Sequence, residues 1–122
     1  MKVKIDTKEK FHVISIEERI LSANMTEDIR QMLLPYLDKE NKNVILKFGF
    51  VESIEDTAAK TIFDVQQTFY SSNASFVICE LKKSIEEVFD KQELLDILNF
   101  TPTESEAWDI VQMEEIEREF LD

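Results

Sequence analysis

The sequence Val44-Ile45-Leu46-Lys47-Phe48 leads through the polar turn Glu52-Ser53-Ile54-Glu55-Asp56-Thr57 into a helix that carries Ala58, Ile62, Val65 and Phe69 on one side. The first run is short and rich in branched and aromatic residues, which is typical of a strand buried on both faces of a sheet. A strand that delivers its end to a helix N-terminus brings unpaired N–H groups and the positive end of the helix dipole together. We therefore expect any functional site at this turn.

Two strands and a helix are predicted before this segment. Val3 and Ile5 alternate with charged residues, as in a half-exposed edge strand, and residues 11–16 predict a second, more buried strand. The helix that follows has Thr26 as its expected N-cap. Pro35 removes a backbone donor and should bend this helix or shorten its regular part.

The second half of the chain continues to alternate strands and helices. Residues 76–79 predict another buried strand, Ser84 lies at the start of a further helix, and residues 94–100 predict a helix end followed by a short strand. This order implies right-handed crossovers and parallel pairing. We expect one α/β domain over residues 1–122, with a mixed four- to five-stranded sheet, an N-terminal edge strand and helices packed mainly on one face.

The last predicted helix covers residues 103–122 and includes a short extension. Thr103 and Glu106 have the spacing of a capping box. The sequence predicts one apolar side of this helix, opposite a side with Glu104, Glu114, Glu115, Glu117 and Glu119, and the apolar residues are Ala107, Ile110, Val111, Met113, Ile116 and Phe120.

The chain is strongly acidic, with 26 Asp and Glu against 14 Lys and Arg and a formal net charge of −12. This charge repels phosphate backbones and anionic membranes, so nucleic acid and membrane insertion are not expected. A basic surface or cationic segment of a protein partner suits it, and charge that serves only solubility is the alternative. The single cysteine and the absence of a signal peptide pattern favour the cytoplasm.

Enzymatic chemistry is not expected. His12 is the only histidine and has no second ligand near it in sequence, and Cys79 lies inside an apolar run, where a core role is expected. The one glycine, Gly49, provides neither a nucleophile elbow nor a phosphate loop. Glu55 and Asp56 alone make a weak cation site. We therefore expect no catalytic residue, no metal and no cofactor.

Two stretches share a pattern with a known family. Residues 84–90, followed by 94–100 and 101–107, are similar to an apolar helix ending in Phe-Asp, a Gly-Leu turn, a short strand and a further helix. Residues 43–63 are similar to a strand followed by Met/Ile-Asp-Ser-Ser/Thr-Gly-Leu-Gly at a helix start. Together they resemble the STAS domain, the fold of bacterial anti-sigma-factor antagonists, over nearly the whole chain.

The resemblance implies a switch position at the start of the helix. In that family the serine after the aspartate is phosphorylated by a partner kinase that is also the anti-sigma factor, and phosphorylation decides which partner binds. Glu55 matches the aspartate, Asp56 the phosphorylated serine and Thr57 the next hydroxyl residue. Asp56 would then carry a permanent charge, or Thr57 is the acceptor with the register displaced by one. The alternative is that Asp56 is simply an N-cap.

The resemblance also implies partner contacts at Ser53, Glu55, Ala58 and Lys60. The sequence departs from the family at its glycines, where it has Ala58, Lys60 and Glu93.

The function implied is a cytoplasmic, non-enzymatic interaction module of bacterial signalling and transcription regulation, whose partner is a kinase, an anti-sigma factor or another regulator. The alternative is a structural or accessory subunit, for example a transporter-associated STAS protein, that docks on a partner or forms a homodimer through its C-terminal helix. In this alternative Met113, Ile116 and Phe120 extend past the expected end of the domain and make the contact.

Overall fold

The structure is a computed structural model that describes residues 1–121. Its strands are β1 (Val3–Thr7), β2 (His12–Ile16), β3 (Ile20–Leu21), β4 (Val44–Lys47), β5 (Ser53–Ile54), β6 (Phe76–Cys79) and β7 (Phe100–Thr101). Five of them form a mixed sheet in the order β1-β2-β4-β6-β7, in which only the β1–β2 pair is antiparallel. The predicted mixed sheet with an N-terminal edge strand is confirmed.

Four α-helices cover the two faces of this sheet. They are α1 (Thr26–Leu33), α2 (Asp56–Ser71), α3 (Lys83–Lys91) and α4 (Glu104–Leu121), with short 3-10 turns at Ala23–Met25, Leu34–Asp38 and Leu95–Ile97. Helices α1, α2 and α3 share one core with the sheet, whereas α4 packs through Ala107 and Val111 against the opposite face. The helices therefore lie mainly on one face, as the sequence predicts.

Strand β4 lies in the middle of the sheet because both of its faces are apolar. Val44, Ile45 and Leu46 are fully buried, with Val44 and Leu46 in the core beneath α2 and Ile45 in the core beneath α4. Parallel pairing with β2 on one side and β6 on the other directs all three strands toward the same edge of the sheet.

Two local expectations about α1 had different outcomes. Thr26 is its first helical residue, and the N-cap is Met25, which provides no side-chain cap, so the expected cap at Thr26 is wrong. The effect of Pro35 is confirmed, since the α-helix ends at Leu33 and a 3-10 turn containing Pro35 follows. Proline cannot supply the N–H that a continuing α-helix needs, so the regular part is shortened.

The apolar residues of α4 fall on two sides of the helix, and not on the one side that the sequence predicts, since Ala107 and Val111 are buried against the sheet. Met113, Ile116 and Phe120 are exposed to solvent. Instead, Glu114 accepts a hydrogen bond from the Tyr70 hydroxyl at 2.8 Å, and further polar contacts join Glu115 to Asn43 at 2.7 Å and Arg118 to Ser75 at 3.0 Å. The physical reason is that this half of α4 passes the ends of β4 and β6, where Asn43 and Ser75 present polar groups that need polar partners.

Helices α2 and α3 end in the same backbone motif. In α3 the Leu94 N–H donates to the Phe89 carbonyl at 3.0 Å and the Glu93 N–H to the Asp90 carbonyl at 2.9 Å, as in a Schellman motif. Glu93 adopts a left-handed conformation with φ of 59°. The family's glycine is thus replaced by glutamate at a position whose backbone suits glycine.

Replacing Glu93 by glycine should stabilise the protein. A left-handed conformation strains a residue that has a Cβ, and glycine removes this strain. Glycine also increases the entropy of the unfolded chain, which offsets part of the gain. We expect Glu93→Gly to raise the free energy of unfolding by about 0.5–1 kcal/mol in total. Urea denaturation measures this. The matched control is Glu87→Gly at an exposed position inside α3, which should lower stability by about 1 kcal/mol. Destabilisation by both variants would contradict the prediction.

Two carboxylates of α4 should make the fold sensitive to acid. The hydrogen bond from Lys47 at 2.9 Å lowers the pKa of Glu104, and the hydrogen bond from Asn43 lowers the pKa of Glu115. A carboxyl group with a depressed pKa in the folded state stabilises the fold above its unfolded pKa, and the contribution is lost as the pH falls through the folded pKa. The affected window therefore begins near the ordinary glutamate pKa of about 4.3 and extends below it.

We expect the double variant Glu104→Gln/Glu115→Gln to lose less stability than the parent between about pH 6 and about pH 3. Urea unfolding at each pH measures the difference, and Glu87→Gln serves as the exposed control that should keep the parental slope. Equal losses in the parent and the double variant would show that the two carboxylates do not supply the acid sensitivity.

Candidate functional site

The predicted turn is held by a second, two-stranded sheet that the sequence did not reveal. Strand β5 pairs in parallel with β3, so that Ser53 lies beside Ile20. The Ser53 N–H also donates to the Arg19 carbonyl at 3.1 Å, and the Glu55 N–H donates to the Leu21 carbonyl at 2.8 Å. The residues before α2 are therefore fixed by backbone bonds rather than left as an irregular loop.

Glu55 is the N-cap of α2, and its carbonyl accepts the N–H of Ala59 at 3.0 Å. Its side chain does not cap α2, because the carboxylate accepts a hydrogen bond from the Ala23 N–H at 2.9 Å. Asp56 is the first helical residue. The interpretation of Asp56 as the N-cap is therefore wrong, and Glu55 instead ties the helix start to the turn after β3.

Asp56 and Thr57 project from the first turn of α2 and are both exposed. Within residues 1–121 neither side chain forms a hydrogen bond or ion pair, although the backbone carbonyl of Asp56 accepts a bond from the Gln92 side chain at 3.1 Å. The N-terminal end of a helix favours a negative charge by about 0.3–1 kcal/mol at an exposed site. A carboxylate at Asp56 is thus stabilised here and remains accessible.

The other expected partner contacts divide into two groups. Ser53, Glu55 and Lys60 are exposed, and Lys60 forms an ion pair with Asp64 at 2.6 Å. Ala58 is fully buried in the core under α2, because the first inward position of the helix falls on it. The accessible set is Ser53, Glu55, Asp56, Thr57 and Lys60, which we call the helix-start surface; Ala58 is not part of it.

Two exposed apolar side chains lie on the segments next to β5, and sequence reasoning missed them. Ile20, on β3 opposite Ser53, is 58% exposed, and Phe50, in the loop before β5, is 53% exposed. The loop is held by Lys82, whose ammonium donates to the carbonyls of Gly49 at 2.6 Å and Val51 at 2.9 Å. Neither of the two exposed residues stands out in the sequence, because Ile20 is followed by the apolar Leu21 and Phe50 by the apolar Val51.

His12 and Cys79 have structural surroundings. The His12 ring hydrogen-bonds to the Thr7 hydroxyl at 3.0 Å and the Asn41 carbonyl at 2.9 Å, and it packs against Tyr36. Cys79 is fully buried, and burial raises the pKa of its thiol to about 12, which disfavours the reactive thiolate. The predicted core role of Cys79 is confirmed.

A depression of about 600 Å³ lies at the other end of the sheet, near Lys8, Lys42 and Asn43. Asn43 is buried there, and its amide is already bonded to the Lys10 carbonyl, Glu115 and the Ser75 N–H.

Among the described residues there is no group of three or more His, Cys, Asp and Glu side chains that could hold a metal ion. No helix within residues 1–121 is long and apolar enough to cross a membrane.

The described residues define an α/β domain with a mixed five-stranded sheet and an exposed strand-to-helix turn at the start of α2. The family model of the STAS domain matches residues 2–107, and the chain belongs to the STAS family. The resemblance inferred from the sequence is confirmed.

The chain is similar to several named members of this family. It is 26% identical over 97 residues to BtrV of Bordetella bronchiseptica, which is named as an anti-sigma factor antagonist, and the match covers 80% of this chain and 83% of BtrV. A Thermotoga maritima structure described in the same terms has a TM-score of 0.76 at 20% identity, covering 90% of this chain and 94% of that one. Bacillus SpoIIAA, an anti-sigma factor antagonist, in its unphosphorylated form has a TM-score of 0.71 at 15% identity, covering 91% and 96%.

Removing the charge of Asp56 should weaken α2 slightly. We expect Asp56→Asn to lower the free energy of unfolding by about 0.3–1 kcal/mol at low salt, and the effect should shrink as salt screens the helix dipole. Glu87→Gln removes one charge from the exposed middle of α3 and corrects for the general relief of repulsion in this acidic chain. If Asp56→Asn is no more destabilising than Glu87→Gln in urea titrations, the dipole does not act on Asp56.

Proposed function

We propose that this protein is a cytoplasmic, non-enzymatic regulatory module, similar to anti-sigma-factor antagonists, that binds a partner protein through the helix-start surface. The observation that carries the proposal is the exposure of Asp56 and Thr57 side by side at the positive end of α2. A rigid backbone frame from β3 and β5 supports them, so a partner meets a preformed surface, which limits the entropy lost on binding.

The apolar residues beside the surface give it the composition of an interface. Ile20 and Phe50 provide exposed area that a partner can bury, while Asp56 and Glu52 provide charge for orientation. Arg19 is paired with Glu52 at 3.4 Å and Lys60 with Asp64 at 2.6 Å, whereas Glu55 and Asp56 form no ion pair within residues 1–121. A partner with a basic and partly apolar surface fits this arrangement.

The charge at Asp56 supports a permanent switch state. SpoIIAA is described in both unphosphorylated and phosphorylated forms. A phosphate group carries about −1.5 to −2 charges at neutral pH, and the helix N-terminus that would stabilise it already has the carboxylate of Asp56. Asp56 would therefore hold the module in a form that resembles the phosphorylated one, without a kinase.

Thr57 is the second candidate for a switch. Its hydroxyl is exposed and forms no hydrogen bond to another residue in the described part of the chain. A phosphate there would stand next to Asp56 and Glu55, and like-charge repulsion opposes it. We therefore favour the hypothesis of a permanent charge at Asp56 over the hypothesis that Thr57 is phosphorylated.

The test is affinity capture from a lysate of the source bacterium with the parent protein, Asp56→Ser and Asp56→Glu, followed by mass spectrometry. We expect the parent and Asp56→Glu to retain the same partner, because both are charged at this position. Asp56→Ser should retain at least about tenfold less of it, or exchange it for another. Glu87→Gln is the control and should behave as the parent. Identical capture by the parent and Asp56→Ser would show that the charge at position 56 is not the switch.

The same samples separate the two switch candidates. Intact mass is measured after incubation of the parent, Thr57→Ala and Asp56→Ser with ATP and a captured kinase. With Asp56 as the permanent charge, only Asp56→Ser gains the mass of a phosphate group. A phosphate on the parent that Thr57→Ala abolishes would instead assign the switch to Thr57.

A further inference from the structure

The C-terminal half of α4 carries an apolar stripe that faces solvent. Met113 is 59% exposed, Ile116 53% and Phe120 85%. Their spacing of three and four residues places them on one side of the helix, as at the a, d and a positions of a heptad. Contiguous exposed apolar residues of this kind mark interaction surfaces more often than single exposed residues do.

The stripe cannot turn inward by rotation of α4. The opposite side of the helix is fixed by the hydrogen bonds of Glu114 to Tyr70 and Glu115 to Asn43. Arg118 adds bonds to Ser75 and Glu115. Rotation would break the bonds to Tyr70, Asn43 and Ser75, and each such hydrogen bond contributes about 0.5–1.5 kcal/mol. The polar contacts therefore orient the stripe toward solvent.

The flanks of the stripe are acidic. In the heptad numbering that places Met113 at a, Glu117 occupies an e position and Glu119 a g position, and Asp109 precedes the stripe on the same side. All three are exposed, and none of them forms an ion pair within residues 1–121. Helix α4 has one basic residue, Arg118, and it is bonded to Glu115.

A second copy of this chain is a poor occupant for such a stripe. It would bring the same acidic flanks, and each chain has a formal net charge of −12. Like charges at the e and g positions oppose pairing, whereas basic side chains at those positions favour it.

We propose that the α4 stripe binds an amphipathic helix of a partner protein, with apolar residues at its a and d positions and Lys or Arg at its e and g positions. Binding of this helix does not rest on the proposed function, whereas the role as a connector of two partners does. Helix α4 covers the face of the sheet opposite to α2, so its occupant leaves the helix-start surface open. The protein can then hold two partners at once and acts as a connector between them.

The probe is a synthetic 21-residue helical peptide with Leu at a and d and Lys at e and g, labelled for fluorescence anisotropy. Two control peptides are used: one has Glu at e and g, and the other has the composition of the probe in scrambled order. We expect saturable binding of the Lys peptide at one per chain. The scrambled peptide should bind at least about tenfold more weakly, and the Glu peptide should not bind.

Protein variants then locate the contact. Ile116→Asp/Phe120→Ser should weaken binding of the Lys peptide at least about tenfold, because these changes remove the exposed apolar contacts. Phe50→Ser alters an exposed apolar residue outside the α4 stripe and should leave the affinity for the Lys peptide unchanged. Circular dichroism checks that each variant is folded, which is expected because the changed side chains are exposed.

Several outcomes would overturn the inference. Equal binding of the Lys and scrambled peptides would show that net charge alone causes the binding. An unchanged affinity of Ile116→Asp/Phe120→Ser for the Lys peptide would show that the peptide binds elsewhere. Light scattering of the parent at twice the mass of one chain, reverting to one chain in Ile116→Asp/Phe120→Ser, would assign the stripe to a second copy instead.

Discussion

Parallel pairing of β4 between β2 and β6 is the constraint on which the rest of the structure depends. Because β4 is apolar on both faces, it is stable only where helices cover both sides of the sheet. This requirement places α2 on one face and α4 on the other. It also directs the end of β4 to the edge of the sheet where the chain turns back into β5 and α2.

A buried amide connects this central sheet to the helix that bears the candidate site. Gln66 of α2 is fully buried and donates to the carbonyls of Phe76 and Asn99 at 2.8 and 2.9 Å, while its own carbonyl accepts the Asn99 N–H at 3.0 Å. The Gln66 amide itself is in the interior, where an unsatisfied amide is unfavourable. The position of α2 along the sheet is therefore specified by polar bonds as well as by packing, and this positions Asp56 and Thr57 at its N-terminus.

The strength of the apolar signal explains how much could be predicted from the sequence. Strands β4 and β6 follow from short apolar runs, and the exposed Asp56 and Thr57 follow from the start of an apolar helical pattern. The β3–β5 pair could not be predicted, because two residues are too few to establish a period of two. The contact between Glu55 and Ala23 depends on tertiary geometry across 32 residues, for which a single sequence has no signal.

Helix α4 shows why a periodic pattern does not by itself assign a buried face. Its apolar residues fall on two sides, with Ala107 and Val111 against the sheet and the Met113 to Phe120 stripe in solvent. The pattern of one helix cannot indicate which side meets a polar strand end, because that depends on Asn43 and Ser75 elsewhere in the chain. Selection for folding alone would favour polar residues along the solvent side. The apolar side chains there are flanked by carboxylates that form no ion pair within residues 1–121, and this combination has the chemistry that a basic, partly apolar molecule would complement.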